Sequence, residues 1–199
     1  MIRPGVEVQT KRILEATLEL LATHPVEDLT ASKVAQEAGT SRATFYRCFK
    51  SIQEVIESLY ADFSASIIER LTGQLGEEAD ERWLGGVVRR VVMDAHQMGP
   101  ALVSLYREEL RPDSIGGRYA RDRVQRQVEL LQQWWARSEE APLEDEVFVL
   151  IVNLLQMSGL RAATLEEREV DGVIASSIFA IEAMIAHHRT GRPTPSPVS

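Results

Sequence analysis

Six side chains within nine residues, Arg42, Ala43, Thr44, Tyr46, Arg47 and Lys50, have the types and spacing for recognition chemistry. A guanidinium such as that of Arg42 or Arg47 can donate two hydrogen bonds to a guanine edge, a contact worth about 1–3 kcal/mol of discrimination. Thr44, Tyr46, Lys50 and the upstream Lys33 suit phosphate oxygens, which fix register without reading sequence. Ala43 is small enough to let a backbone approach. On a helix, Ala43, Tyr46, Arg47 and Lys50 share one side, while Phe45 and Phe49, four apart, share another and can pack on Val34, Ala35 and Ala38. A groove-reading helix needs this division: one face donates and the other anchors. An ordinary solvated helix side would also carry charges, so the surrounding elements must decide between the two.

Those elements can be read from periodicity and punctuation. Ile13/Leu14, Leu18 and Leu20/Leu21 predict a helix over 11–23, stopped by Pro25. Thr30 can cap a short second helix, and Gly39 can end it in a left-handed turn. A third short helix follows Ser41 to about Phe49. Ser51-Ile52-Gln53-Glu54 is a capping box that opens a fourth, fading near Thr72–Gly76. Two short helices joined by a glycine turn over about 30–49 have the layout of a helix-turn-helix.

The order Val34-Ala35-Gln36-Glu37-Ala38-Gly39-Thr40-Ser41-Arg42-Ala43-Thr44-Phe45-Tyr46-Arg47-Cys48-Phe49 resembles the N-terminal signature of the tetracycline-repressor-like (TetR) family over about residues 10–60. The resemblance implies an all-helical homodimer with a three-helix DNA-binding domain, a regulatory domain that senses a small molecule, and repression as the sign of control. Arg42, Ala43, Thr44 and Tyr46 fall where that family contacts DNA, and Gly39 falls on its turn glycine. Three positions depart from the pattern. Ile52 stands where a phosphate-binding lysine is common, so Lys50 is the candidate replacement, helped by the amides that open the fourth helix. Cys48 stands where histidine or another polar residue is frequent, and Thr40 where valine is usual. A redox role for Cys48 competes with the blander reading of a small residue tolerated at a helix edge.

Beyond residue 69, helices are expected at about 80–98, 100–110, 115–138, 143–163 and 170–188, punctuated by Gly99-Pro100, Arg111-Pro112 and Ala141-Pro142. The fold class is therefore all-α. The expected organisation is a DNA-binding domain with its linking helix over 8–68, a helical-bundle ligand-binding and dimerisation domain over 69–189, and a disordered tail over 190–199. Val147–Leu155 is apolar all round, and Ile174, Ile178, Ile181 and Ile185 stripe a last helix rich in alanine. Such a pair suits a four-helix interface between identical subunits, with a monomeric core as the alternative. Candidate pocket residues are Trp83, Met93, His96, Met98, Leu102, Tyr106, Trp134, Trp135, Asn153 and Met157, which suggest an apolar or aromatic effector; Trp134 and Trp135, about 100° apart on a helix, should not both face one cavity. The arginines at 111, 118, 121, 123 and 126, interleaved with Asp113 and Asp122, read as a solvated face.

Composition bounds the function classes. With 199 residues and 44% hydrophobic content the chain can bury a core, and one cysteine cannot make an intrachain disulfide. No catalytic motif, metal-ligand spacing or cofactor loop is visible, so neither enzyme activity nor a cofactor or metal is expected. The longest uninterrupted apolar run, Val147–Val152, is too short for a membrane span, and the expected location is the cytoplasm. A net charge of −8 argues against DNA until it is divided: residues 1–50 hold seven Lys/Arg against six Asp/Glu, so the acidity lies beyond residue 50. The expected partners are operator DNA, a second copy of the chain and a small effector, with no membrane. The competing reading is a helical ligand carrier or small helical enzyme with an incidental helix-turn-helix.

Overall fold

The computed structural model describes residues 4–75, 83–137 and 142–189. Among these the secondary structure is helical throughout, in the order α1 (Pro4–Leu21), a 3-10 turn (Val26–Asp28), α2 (Ala31–Glu37), α3 (Arg42–Cys48), α4 (Ile52–Leu75), α5 (Trp83–Met98), α6 (Pro100–Glu109), α7 (Ile115–Trp135), α8 (Asp145–Ala162) and α9 (Glu167–Arg189). The expected tail over 190–199 lies outside the described residues. Helix α1 begins seven residues before the expected start at 11, with Pro4 at the first position, where no amide is needed.

The chain divides into two compact units. The first takes in residues up to Glu69 together with Gln97–Arg123. Its core has two parts. Ile13, Val34, Phe45, Phe49 and Val55 close the helix-turn-helix, and Leu21, Leu29, Ile56, Tyr60 and Leu105 pack α1 and α4 against α6. The Tyr60 hydroxyl donates to the Leu105 carbonyl at 2.8 Å. Burial, reinforced by the Glu109 and Glu108 carboxylates and opposed by Arg123, holds this phenol far above its ordinary range, so it stays a donor.

Arg123 corrects the reading of the α7 arginines as a solvated face. Its side chain is 3% exposed and makes a bidentate pair with Glu109 at 2.8 and 2.7 Å, with its guanidinium 5.1 Å from the Phe63 ring. The reason is helical phase: residue 123 falls on the inward stripe of α7. Arg111, Arg118, Arg121 and Arg126 remain exposed.

The second unit comprises Arg70–His96 and Val124 onward. Its core is built from Val87, Val88 and Val92 of α5, Leu131 and Trp134 of α7, Val147, Phe148, Ile151, Val152 and Leu155 of α8, and Ile174, Ile181 and Ile185 of α9. Helices α8 and α9 share a buried Ser158–Ser177 hydroxyl pair at 2.7 Å. On these two helices Val149, Leu150, Met157 and Phe179 stay exposed, Phe179 at 73%. Averaged over a window rather than read as a continuous run, α9 is apolar and long enough to cross a membrane, with a mean hydropathy of 1.5. Its Val170, Ile174, Ile181 and Ile185 instead pack into the unit's core.

Candidate nucleic-acid interface

Thr30 opens α2 by accepting the Lys33 amide at 3.2 Å, and Ser41 opens α3 by accepting the Thr44 amide at 3.1 Å. Between them Gly39 adopts φ +60, which a side chain would resist, so the chain reverses within a few residues. Phe45 is fully buried and Phe49 is 4% exposed, against Val34, Ala35 and Ala38. Anchoring α3 on this side fixes which residues face out.

Arg42, Ala43, Tyr46 and Arg47 are exposed on α3, and Lys50 is exposed just past its end. Tyr46, 49% exposed, rests edge-on against Phe45 with ring centroids 5.4 Å apart, which orients its hydroxyl outward. None of Arg42, Arg47 and Lys50 enters an ion pair among the described residues. Thr44 is half-buried, with its hydroxyl accepting from Ser41 at 3.1 Å. Lys33 is exposed, but its ammonium donates to the Asp28 carbonyl at 3.0 Å and so closes the 3-10 turn.

The corner into α4 differs in one respect from the simple capping box. Ser51 accepts the Glu54 amide at 3.2 Å, while the Glu54 carboxylate accepts the Lys50 amide, one residue earlier than the reciprocal bond requires. That amide is therefore engaged, and Lys50 offers its ammonium alone. Sequence reasoning missed Arg12: its Nη2 lies 3.3 Å from where a Cβ would sit on Gly39, so α1 brings another guanidinium to the turn. The available signal is that Arg12 precedes Ile13, the first buried residue of the α1 stripe.

The candidate pocket residues do not gather in one place. Met98, Leu102 and Tyr106 belong to the first unit, where burial foremost, with Glu109 adding and Arg123 opposing, raises the Tyr106 phenol. Trp83, Met93, Trp134 and Trp135 join the buried cluster of the second unit, with Trp83 and Trp134 centroids 4.5 Å apart. Trp135 turns instead to Phe148, at 6.3 Å. His96 donates from Nδ1 to the Ala162 carbonyl at 3.0 Å, which fixes its tautomer. Asn153 and Met157 stand on the exposed side of α8. Cys48 is half-buried and free.

Residues 13–59 match the family described as bacterial regulatory proteins, tetR family. Over 68 residues the chain is 37% identical to the uncharacterized HTH-type transcriptional regulator YvkB of Bacillus subtilis, covering 33% of this chain and 36% of YvkB. The chain spans less than two thirds of the length of the curated relatives it matches. A tetR-family transcriptional regulator from Streptomyces coelicolor superposes with a TM-score of 0.74 at 15% identity, over 94% of this chain and 84% of that one. Thermus thermophilus FadR, a TetR-family transcriptional repressor solved in complex with lauroyl-CoA, superposes with a TM-score of 0.61 at 19% identity, over 96% of this chain and all of that one. At such identities the structural likeness establishes the fold. Residues 13–59 thus carry the helix-turn-helix of the tetR family of bacterial regulatory proteins, and the described helices share the fold of solved regulators of that family.

Proposed function

We propose that this protein is a transcriptional repressor that binds a palindromic operator as a homodimer and is released by a small effector. The observation that carries the reading is the outer face of α3, where Arg42, Tyr46 and Arg47 are exposed above an anchored Phe45. Arg42 and Arg47 read base edges in the major groove; Tyr46, Thr44, Lys50 and Arg12 hold phosphates, and Lys33 does so through what its bond to Asp28 leaves free. Ala43 allows the close approach.

A palindrome requires two copies, with recognition helices about 34–36 Å apart to reach successive major grooves. The exposed apolar residues of α8 and α9, Val149, Leu150, Met157 and Phe179, support pairing through these helices in a four-helix interface. The effector is a molecule with an apolar or aromatic body, in keeping with the aliphatic and tryptophan-rich core of the second unit. It acts by differential affinity: it releases DNA only as far as it binds the DNA-incompetent state more tightly, and a complete switch requires a preference of about 10⁴.

A gel shift with the DNA upstream of the protein's own gene tests the assignment. Arg42→Ala, Tyr46→Phe and Arg47→Ala should each weaken the shift while the oligomeric state stays unchanged. Wild-type affinity in all three would remove α3 as the DNA-facing element.

A further inference from the structure

Within the second unit, the inward side of α7 carries polar heads where a core helix is ordinarily aliphatic. Gln127 and Trp134 are 6% and 2% exposed, with Leu131 at 1% between them. Spacings of four and three residues return all three to one side of the helix. Gln127 Oε1 and Trp134 Nε1 are both shielded from solvent, and neither has a hydrogen-bond partner among the described residues. Buried polar atoms in folded proteins are nearly always paired, so two on one stripe call for an explanation.

The two groups have opposite sense. The amide oxygen accepts, and the indole N–H only donates. Seven residues separate them, about 10 Å along the axis. Trp83 of α5 packs on Trp134, and Leu131 with Val88 and Val92 belongs to the same apolar cluster. Among the described residues the buried charged side chains of Arg123 and Glu109 neutralise each other in the first unit, and no charged residue described in the second unit is buried, so none there offers a countercharge. Gln156 Nε2 on α8 is also unpartnered, but its side chain is only partly buried and so carries less weight.

Resting on the effector reading above, we infer that the Gln127–Leu131–Trp134 stripe is the recognition line of the effector site. It selects an elongated, uncharged molecule with a hydrogen-bond donor at the Gln127 end, an acceptor at the Trp134 end and an apolar body over Leu131. A plain hydrocarbon chain satisfies the apolar body alone and leaves both polar atoms unpaired.

The test uses full-length protein and two esters, methyl 8-hydroxyoctanoate, with a hydroxyl and a carbonyl at opposite ends of its chain, and methyl octanoate, which lacks the donor. By calorimetric titration the wild type should bind the hydroxy ester about tenfold more tightly, the worth of one hydrogen bond. Gln127→Leu should abolish that preference, and Trp134→Phe should weaken both esters about tenfold. Because Gln127→Leu replaces an unpaired buried amide with an apolar group of similar volume, that ligand-free variant should not unfold at a lower temperature than the wild type, whereas Trp134→Phe also empties space beside Trp83 and is read by affinity alone. The inference is overturned by equal affinity of the wild type for the two esters, by no binding of the hydroxy ester at millimolar concentration, by a preference that survives Gln127→Leu, or by a clear loss of stability in ligand-free Gln127→Leu. A gel shift on the same wild-type sample separates the failures. A DNA shift indifferent to ester chemistry leaves the regulator standing and removes this inference; the absence of any shift removes the regulator.

Discussion

Replacing Lys50 with alanine should flatten the salt dependence of DNA binding by about two units of log K per unit of log salt. The value follows from the cations assigned to phosphate. Arg12, Lys33 and Lys50 form no ion pair among the described residues, and the Asp28 carbonyl that the Lys33 ammonium meets carries no charge to cancel it. Three such cations per protomer give about six in a dimer, and about 0.9 counterions released per phosphate neutralised predict a slope near −5. Affinity should then fall by about 10³ between 50 and 200 mM salt. Losing Lys50 from both protomers removes about 1.8 from the slope, leaving it near −4. The substitution is clean because the group that shapes the corner into α4 is the Lys50 amide, bonded to Glu54, and alanine retains it. Fluorescence anisotropy of a labelled operator across a salt series measures the slope, with Arg89→Ala as control, since Arg89 is in the second unit and pairs with Asp171 at 3.5 Å. An unchanged slope in Lys50→Ala, or an equal flattening in Arg89→Ala, would refute the assignment of phosphate contacts.

Two further outcomes concern the parts that support this face. Glu109→Gln should lower stability by about 3–5 kcal/mol, because it leaves the buried Arg123 guanidinium without its countercharge, whereas Glu109→Leu combined with Arg123→Met should recover most of the loss. Thermal unfolding followed by circular dichroism reads both, and a single variant as stable as the wild type would show that the pair is not desolvated as its 3% and 5% side-chain exposures require. Phe179→Glu should weaken self-association by about 10²–10⁴, since burying one phenylalanine contributes about 1.5–3 kcal/mol and symmetry counts it twice. Sedimentation over a concentration series measures this, and an unshifted dimer would place the interface elsewhere than α8 and α9.

The helix-turn-helix was legible because its determinants are local. Thr30 and Ser41 cap as their residue types predict, Gly39 supplies the left-handed turn, and the four-residue spacing of Phe45 and Phe49 puts both inward. What escaped depends on parts of the chain meeting. The bond from Lys33 to Asp28 requires the 3-10 turn to present a carbonyl, and the approach of Arg12 to Gly39 requires α1 to pack beside the turn. Arg123 was misread for another reason. Its neighbours Arg121, Asp122 and Arg126 are solvated, and charge interleaving hid the periodicity that places 123, 127, 131 and 134 on one inward stripe. Counting helical phase before counting charge would have separated Arg123 from that face and exposed the polar heads of Gln127 and Trp134 together.

The same distinction between local phase and bulk sum resolves the charge. A chain of net charge −8 should avoid DNA if charge acted as a total, but at physiological salt the Debye length is about 8 Å, so a phosphate senses only the nearest side chains. Near α3 those are Arg42, Arg47 and Lys50, and the anchored Phe45 keeps them outward. Acidic side chains farther from the contact neither strengthen nor cancel it once the protein is docked. They act earlier, by making approach through an acidic face unfavourable, which under the proposed reading leaves the outer side of α3 as a favoured surface. Acidity beyond residue 50 thereby favours specificity over non-specific affinity, as a regulator that must find few sites among many requires.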